Sequence, residues 1–198
     1  MNPVIRSRGY LPHWEGEHPV YFVTFRLADS LPRELLARLR AEREAIERTK
    51  QGCADVVADS VRLRKLRSIL RRAERWLDSG LGQCHMRDAR VAGIVARAIR
   101  RFHGERYRLI AWCVMPNRVH VLFSPIGERK LHAILHSWKS FSAQAANRLL
   151  GRGGQFWQRE YFDHLVRDEA SLLKITRYVR ENPQRAGLRN WPWVGGIS

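Results

Sequence analysis

Two short runs separated only by a Pro-Asn pair constrain this chain most. Residues 107–115, YRLIAWCVM, and residues 118–125, RVHVLFSP, are rich in β-branched and aromatic side chains, with Pro116-Asn117 between them. Runs of this kind bounded by turn residues read as strands, and so short a break makes the pair a hairpin. An earlier run, residues 21–28, YFVTFRLA, reads as a strand that ends near Asp29-Ser30. Helical periodicity fills the spaces between these strands. Leu35, Leu36, Leu39 and Ile46 follow the breaker Pro32, and Leu63, Leu66, Ile69, Leu70, Ala73 and Leu77 repeat the pattern. The polar stretch 49–60 divides the two, which predicts a helical hairpin inserted at about 31–80. A third helix is expected over 88–102, with Val91, Ile94, Val95, Ala98 and Phe102 on one stripe and Asp88 as N-cap. A fourth is expected over 131–150, a further strand within 155–166, and a last helix from Glu169 to Glu181, stopped by Asn182-Pro183. Without the insert the order is βαββαβ plus a terminal helix. That order predicts an α+β, ferredoxin-like antiparallel sheet with helices on one face, built as one domain over 1–198.

Charge narrows the partners. There are 36 Lys+Arg against 19 Asp+Glu, a formal net charge of +17. Such an excess draws polyanions by long-range attraction and counterion release, with nucleic acid first and an anionic membrane second. No apolar run approaches the roughly 20 residues a membrane span needs, so no membrane partner is expected. Residues 1–19 carry no apolar leader core, and Cys53, Cys84 and Cys113 lack paired spacing. Both features predict a reducing, cytoplasmic location.

Side-chain alternation in 118–125 puts Arg118, His120, Leu122 and Ser124 on one face, and apolar Val119, Val121 and Phe123 on the other. The apolar set packs on helices, so His120 faces the opposite side beside Arg118. A lone strand His is more often structural than catalytic. In the last helix Leu172, Ile175 and Val179 form the core stripe, with Tyr178 at its side and Asn182 one turn later. Tyr178 alone reads as packing, and Asn182 as a helix stop. Arg62, Arg64, Lys65 and Arg71 on the second arm of the insert, with Arg97 and Arg101 on the third helix, are candidates for phosphate contacts. A solvated helix face is the plain alternative for them. Trp138, Lys139, Trp157 and Arg159 mix aromatic and basic groups in the manner of a base-stacking surface, although most Trp residues are core.

Four segments add a further reading. They are RGYLPHWE with YFVTFRLADSLP (residues 8–32), AWCVMPNRVHVLFSP (111–125), FWQREYFDHLVRDEASL (156–172) and ITRYVRENPQRAGL (175–188). Together and in this order they resemble the REP-associated tyrosine transposases, relatives of the insertion-sequence transposases with one Tyr and an HUH motif. The resemblance implies a DNA-binding protein acting on hairpin or single-stranded DNA, as monomer or homodimer. Its nucleophile falls on Tyr178. Its metal ligands for Mg²⁺ or Mn²⁺ fall on His120 and Asn182. The implied reaction is attack of the Tyr oxygen on a phosphodiester, giving a 5′-phosphotyrosine and a free 3′-OH.

The chain departs from that pattern at one position: the first His of the motif is Arg118. Guanidinium has no lone pair for a metal and stays protonated. Three outcomes follow: cleavage is lost and DNA binding kept, Arg118 itself clamps the phosphate, or His164 restores a weakened site. Two rival readings remain. An RNA-binding module of the same topology would show an aromatic RNP1 segment, which is not found. A zinc site from Cys84, His85 and His103 would have an unusual spacing.

Overall fold

The computed structural model describes residues 5–7, 12–14, 19–48 and 56–196. The chain divides into two compact units, Asp29–Cys84 and the remainder, Met1–Ala28 with His85–Ser198.

The larger unit is built on a five-stranded sheet whose neighbouring strands are all antiparallel. Its strands are β3 (Val20–Arg26), β4 (Tyr107–Val114), β5 (Arg118–Pro125), β6 (Phe162–Val166) and β7 (Val194–Gly196), in the order β6-β3-β5-β4-β7. The first four carry the ferredoxin-like order, and β7 is an added edge. A separate two-stranded hairpin pairs β1 (Ile5–Ser7) with β2 (Pro12–Trp14). Neither that hairpin nor β7 is legible in the sequence, because each strand has three residues.

Helices α3 (Ala89–Arg100) and α4 (Leu131–Leu149) cover one face of the sheet. As the parity of β5 predicts, Val119, Val121 and Phe123 are wholly buried there, with Val95, Leu135 and Trp138. Each such side chain stabilises the fold by roughly 1.5–3 kcal/mol. Asp88 caps α3, its carboxylate accepting the Arg90 N–H at 2.8 Å. The Arg90 guanidinium first, and that backbone bond second, hold the carboxyl down at about 2.

Helix α5 (Glu169–Arg185) lies on the opposite face, where Val179, Ile175 and Leu172 pack on Phe22, Ala111, Cys113 and Leu122. The two crossover helices therefore share a face as expected, and the Tyr-bearing helix takes the other. Strand β4 serves both faces through a register shift between Leu109 and Ala111. Tyr107 and Leu109 face α3 and α4, and after the extra residue so do Trp112 and Val114, while Ala111 and Cys113 face α5.

Helix α5 also runs beyond its expected stop, with Pro183 inside its last turn. Proline there forgoes only one bond, and the turn is closed by others. Ala186 N–H bonds Asn182 O, Gly187 N–H bonds Gln184 O, and Leu188 N–H bonds Pro183 O at 2.9 Å. The last two form a Schellman cap, with Gly187 left-handed at φ 74°. Gly187→Ala is expected to cost about 1–2 kcal/mol through backbone strain, because a methyl group there meets nothing. Thermal unfolding checks this.

The smaller unit holds α1 (Arg33–Arg48) and α2 (Val56–Asp78), the helical pair expected from periodicity, with an Arg72–Glu42 ion pair between them. Ile69 and Leu77 are buried. Gly82 (φ 81°) is needed at the unit's end, since a Cβ would collide with the Asp29 carbonyl.

Candidate functional site

On the α5 face of the sheet, β5 presents Arg118 and His120, each 1% exposed. A buried guanidinium is costly unless its N–H groups are bonded, and here three acceptors meet them. Arg118 Nε donates to His120 Nε2 at 3.1 Å, one terminal nitrogen to Asn182 Oδ1 at 3.0 Å, and the other to Asn117 Oδ1 at 3.3 Å. Asn182 comes from α5 and is itself 4% exposed.

The His120 tautomer follows from this. Arginine only donates, so Nε2 must accept, and a neutral imidazole then carries its proton on Nδ1. That N–H donates to Thr24 Oγ1 of β3, 2.8 Å away. Burial first, and the Arg118 charge second, hold the ring's protonation well below its usual range, so the neutral form is the working one. The neighbouring Cys113 thiol is pushed up to about 12 by burial, which leaves it protonated and inert.

Tyr178 lies against this cluster. Its ring centroid is 5.4 Å from that of His120 and 5.9 Å from that of Phe22, edge-on in both cases. Phe22 in turn stacks on His120 at 5.9 Å. The fold thus brings together four positions singled out in the sequence: Arg118, His120, Tyr178 and Asn182. It adds three that sequence reasoning missed, Phe22, Thr24 and Asn117. Thr24 and Phe22 depend on the β3–β5 register, which no local pattern reports. Asn182 had a signal: it continues the stripe Leu172, Ile175, Val179, and a polar residue on a buried stripe needs a partner. Arg118 is not the surface strand residue that its type suggests.

These residues do not fit a divalent cation. Such an ion needs the lone pairs of His120 Nε2 and Asn182 Oδ1, and both already accept from Arg118. His164 is on the same face but pairs with Phe22 on the far side of β3, two strands and two residues from His120, about 12 Å at the usual strand and residue spacings. Among the described residues no group of three or more His, Cys, Asp or Glu could hold a metal ion. The residues of the zinc reading are engaged elsewhere. Cys84 donates to the Gly80 carbonyl, His85 bonds Arg152, and His103 Nδ1 accepts the Leu109 N–H.

The basic and aromatic candidates divide. Trp138 and Trp157 are core residues, 1% and 4% exposed, so they form no base-stacking surface. Their indole N–H groups are spent on Tyr107 Oη and Ser142 Oγ. The Lys139 ammonium donates to the carbonyls of Gln158 and Arg159, and burial pushes it down to about 8. Arg97, Arg101 and Arg159 are exposed in the larger unit, and Arg64 and Lys65 in the smaller. The side chains of Arg62 and Arg71 lie outside the described residues. Among the described residues no helix is long and apolar enough to cross a membrane.

Residues 87–182, which carry Arg118, His120, Tyr178 and Asn182, match the family model for IS200-like transposases. A candidate REP-associated tyrosine transposase of Haemophilus influenzae is 26% identical over 101 residues, covering 44% of this chain and 57% of that protein. The match thus spans a little over half the length of that relative. An uncharacterised protein of the same organism is 52% identical over 27 residues, 14% of this chain and 15% of its own. Among solved structures, a REP-associated tyrosine transposase bound to a REP hairpin is similar at TM-score 0.48 and 13% identity, covering 93% of this chain and 82% of its own. A candidate transposase of Deinococcus radiodurans is similar at TM-score 0.37 and 18% identity, covering 90% and 97%.

Proposed function

We propose that this protein binds hairpin or single-stranded DNA and that Tyr-mediated strand cleavage is impaired in it. The observation that carries the reading is the Arg118 guanidinium bonded between His120 Nε2 and Asn182 Oδ1, beside Tyr178. In the family's reaction the Tyr oxygen forms a bond to phosphorus, the bond to the 3′-oxygen breaks, and the phenol proton must leave. A phenol with a reference pKa near ~10 needs a base or cation at hand. Here the only lone pair of neutral His120 is committed to Arg118, and Arg118, His120 and Asn182 are closed from solvent. The imidazole beside Tyr178 therefore has no lone pair left to take the phenol proton. Binding has separate support in the net charge of +17 and in exposed Arg97, Arg101, Arg159, Arg64 and Lys65.

The test is a binding and nicking assay on hairpin DNA with single-stranded flanks, with RNA of the same sequence as competitor. DNA is expected to win, and affinity to fall roughly a hundredfold between 50 and 200 mM salt for about four duplex phosphate contacts. Tyr178→Phe should leave affinity unchanged, and nicking should be weak or absent with Mg²⁺ or Mn²⁺. Robust nicking that Tyr178→Phe abolishes overturns the impairment. Preference for RNA, or no salt-dependent binding, overturns the DNA reading and favours a nucleic-acid module of another kind.

A further inference from the structure

We propose that Arg118 is a built-in replacement for a dissociable cation: its guanidinium fills the place between His120 Nε2 and Asn182 Oδ1 and so latches α5, with Tyr178, onto the sheet. The family reading supplies only the expectation that a cation belongs there. The bonds belong to this chain.

One planar group reaches acceptors on three pieces of backbone: His120 on β5, Asn117 in the turn before it, and Asn182, 64 residues away on α5. A divalent ion would draw on the same lone pairs at about 2 Å. The guanidinium draws on them at 3.1 and 3.0 Å, through fixed, forked donors that lysine lacks. A bound ion leaves when chelated, whereas a side chain does not. The packing of α5 on the sheet is thereby independent of ions, and Tyr178 is held edge-on to His120 whatever the metal concentration. Arg118 is in this account a positioning residue, acting on Tyr178 through Asn182 and the helix that carries both.

The test uses the full chain and Mn²⁺ alone, read by electron paramagnetic resonance and by hydrogen exchange of α5 amides. The wild-type protein should bind no Mn²⁺ at this site, and α5 exchange should not respond to it. Arg118→His should gain one Mn²⁺ site, lost again in Arg118→His/His120→Asn. Its α5 amides should exchange at least tenfold faster without Mn²⁺ and return to the wild-type rate with it. Wild-type Mn²⁺ binding that His120→Asn abolishes overturns the proposal. So does a folded Arg118→His with neither gained binding nor altered exchange. Should that variant fail to fold, nitrogen NMR of the wild-type His120 ring decides: a protonated Nδ1 with an accepting Nε2 supports the proposal, and a protonated Nε2 overturns it. None of these readouts involves DNA, so failure of the hairpin-binding reading leaves them intact.

Discussion

Trp138→Ala is expected to destabilise the larger unit by about 3–5 kcal/mol while leaving the DNA affinity of the folded fraction unchanged. Trp138 is 1% exposed. Its ring lies edge-on to Tyr107 at 5.0 Å and tilted against Phe123 at 4.9 Å. Its indole N–H donates to Tyr107 Oη, which in turn donates to the Ile99 carbonyl, both at 2.8 Å. Alanine would leave a large cavity between α4 and the sheet and take away a buried donor. Urea unfolding measures the loss. A change below about 1 kcal/mol, paired with weakened DNA binding, would bring back the base-stacking role and contradict the packing described here.

The second large effect concerns the bond between β5 and α5. Asn182→Leu keeps the branched outline but removes the acceptor of a buried charged donor, which costs about 1.5–3 kcal/mol. Arg118→Met removes the guanidinium and orphans the acceptors on His120 and Asn182. Its own desolvation cost disappears as well, so the net single-mutant loss is smaller than the bonds suggest. The informative quantity is therefore the double-mutant cycle. The two changes together should cost about 1.5–3 kcal/mol less than their sum, because each already breaks the shared bond. Additivity within about 0.5 kcal/mol would mean that the two side chains do not interact.

Much of this was legible in the sequence, for reasons that can be named. The parity of RVHVLFSP follows from strand geometry, and it sets Val119, Val121 and Phe123 on one face of the sheet and His120 on the other. The stripe of α3 and its Asp88 cap are local and were readable. The shift in β4 was not, because both of its faces are apolar and alternation carries no contrast there. Pro183 reads locally as a stop, whereas the Schellman cap at Gly187 sets the true end of α5. Trp138 and Trp157 keep the same side-chain chemistry in a core as on a binding surface, so composition could not separate the two. The meeting of Tyr178 with His120 came only from the family resemblance. Periodicity fixes which face of a helix is buried, but not which face of the sheet it covers. Arg118 stands out in the sequence as a departure, but its burial does not, since an isolated Arg in a strand carries no mark of the acceptors waiting for it on another element.

The most direct measurement is a crystal structure of the full chain grown in millimolar MnCl₂, with an anomalous difference map. A guanidinium bonded to both His120 and Asn182, with no anomalous peak within bonding distance of His120, is the predicted result. A manganese peak on His120 Nε2, with Arg118 turned away from Asn182, would contradict the account at its centre.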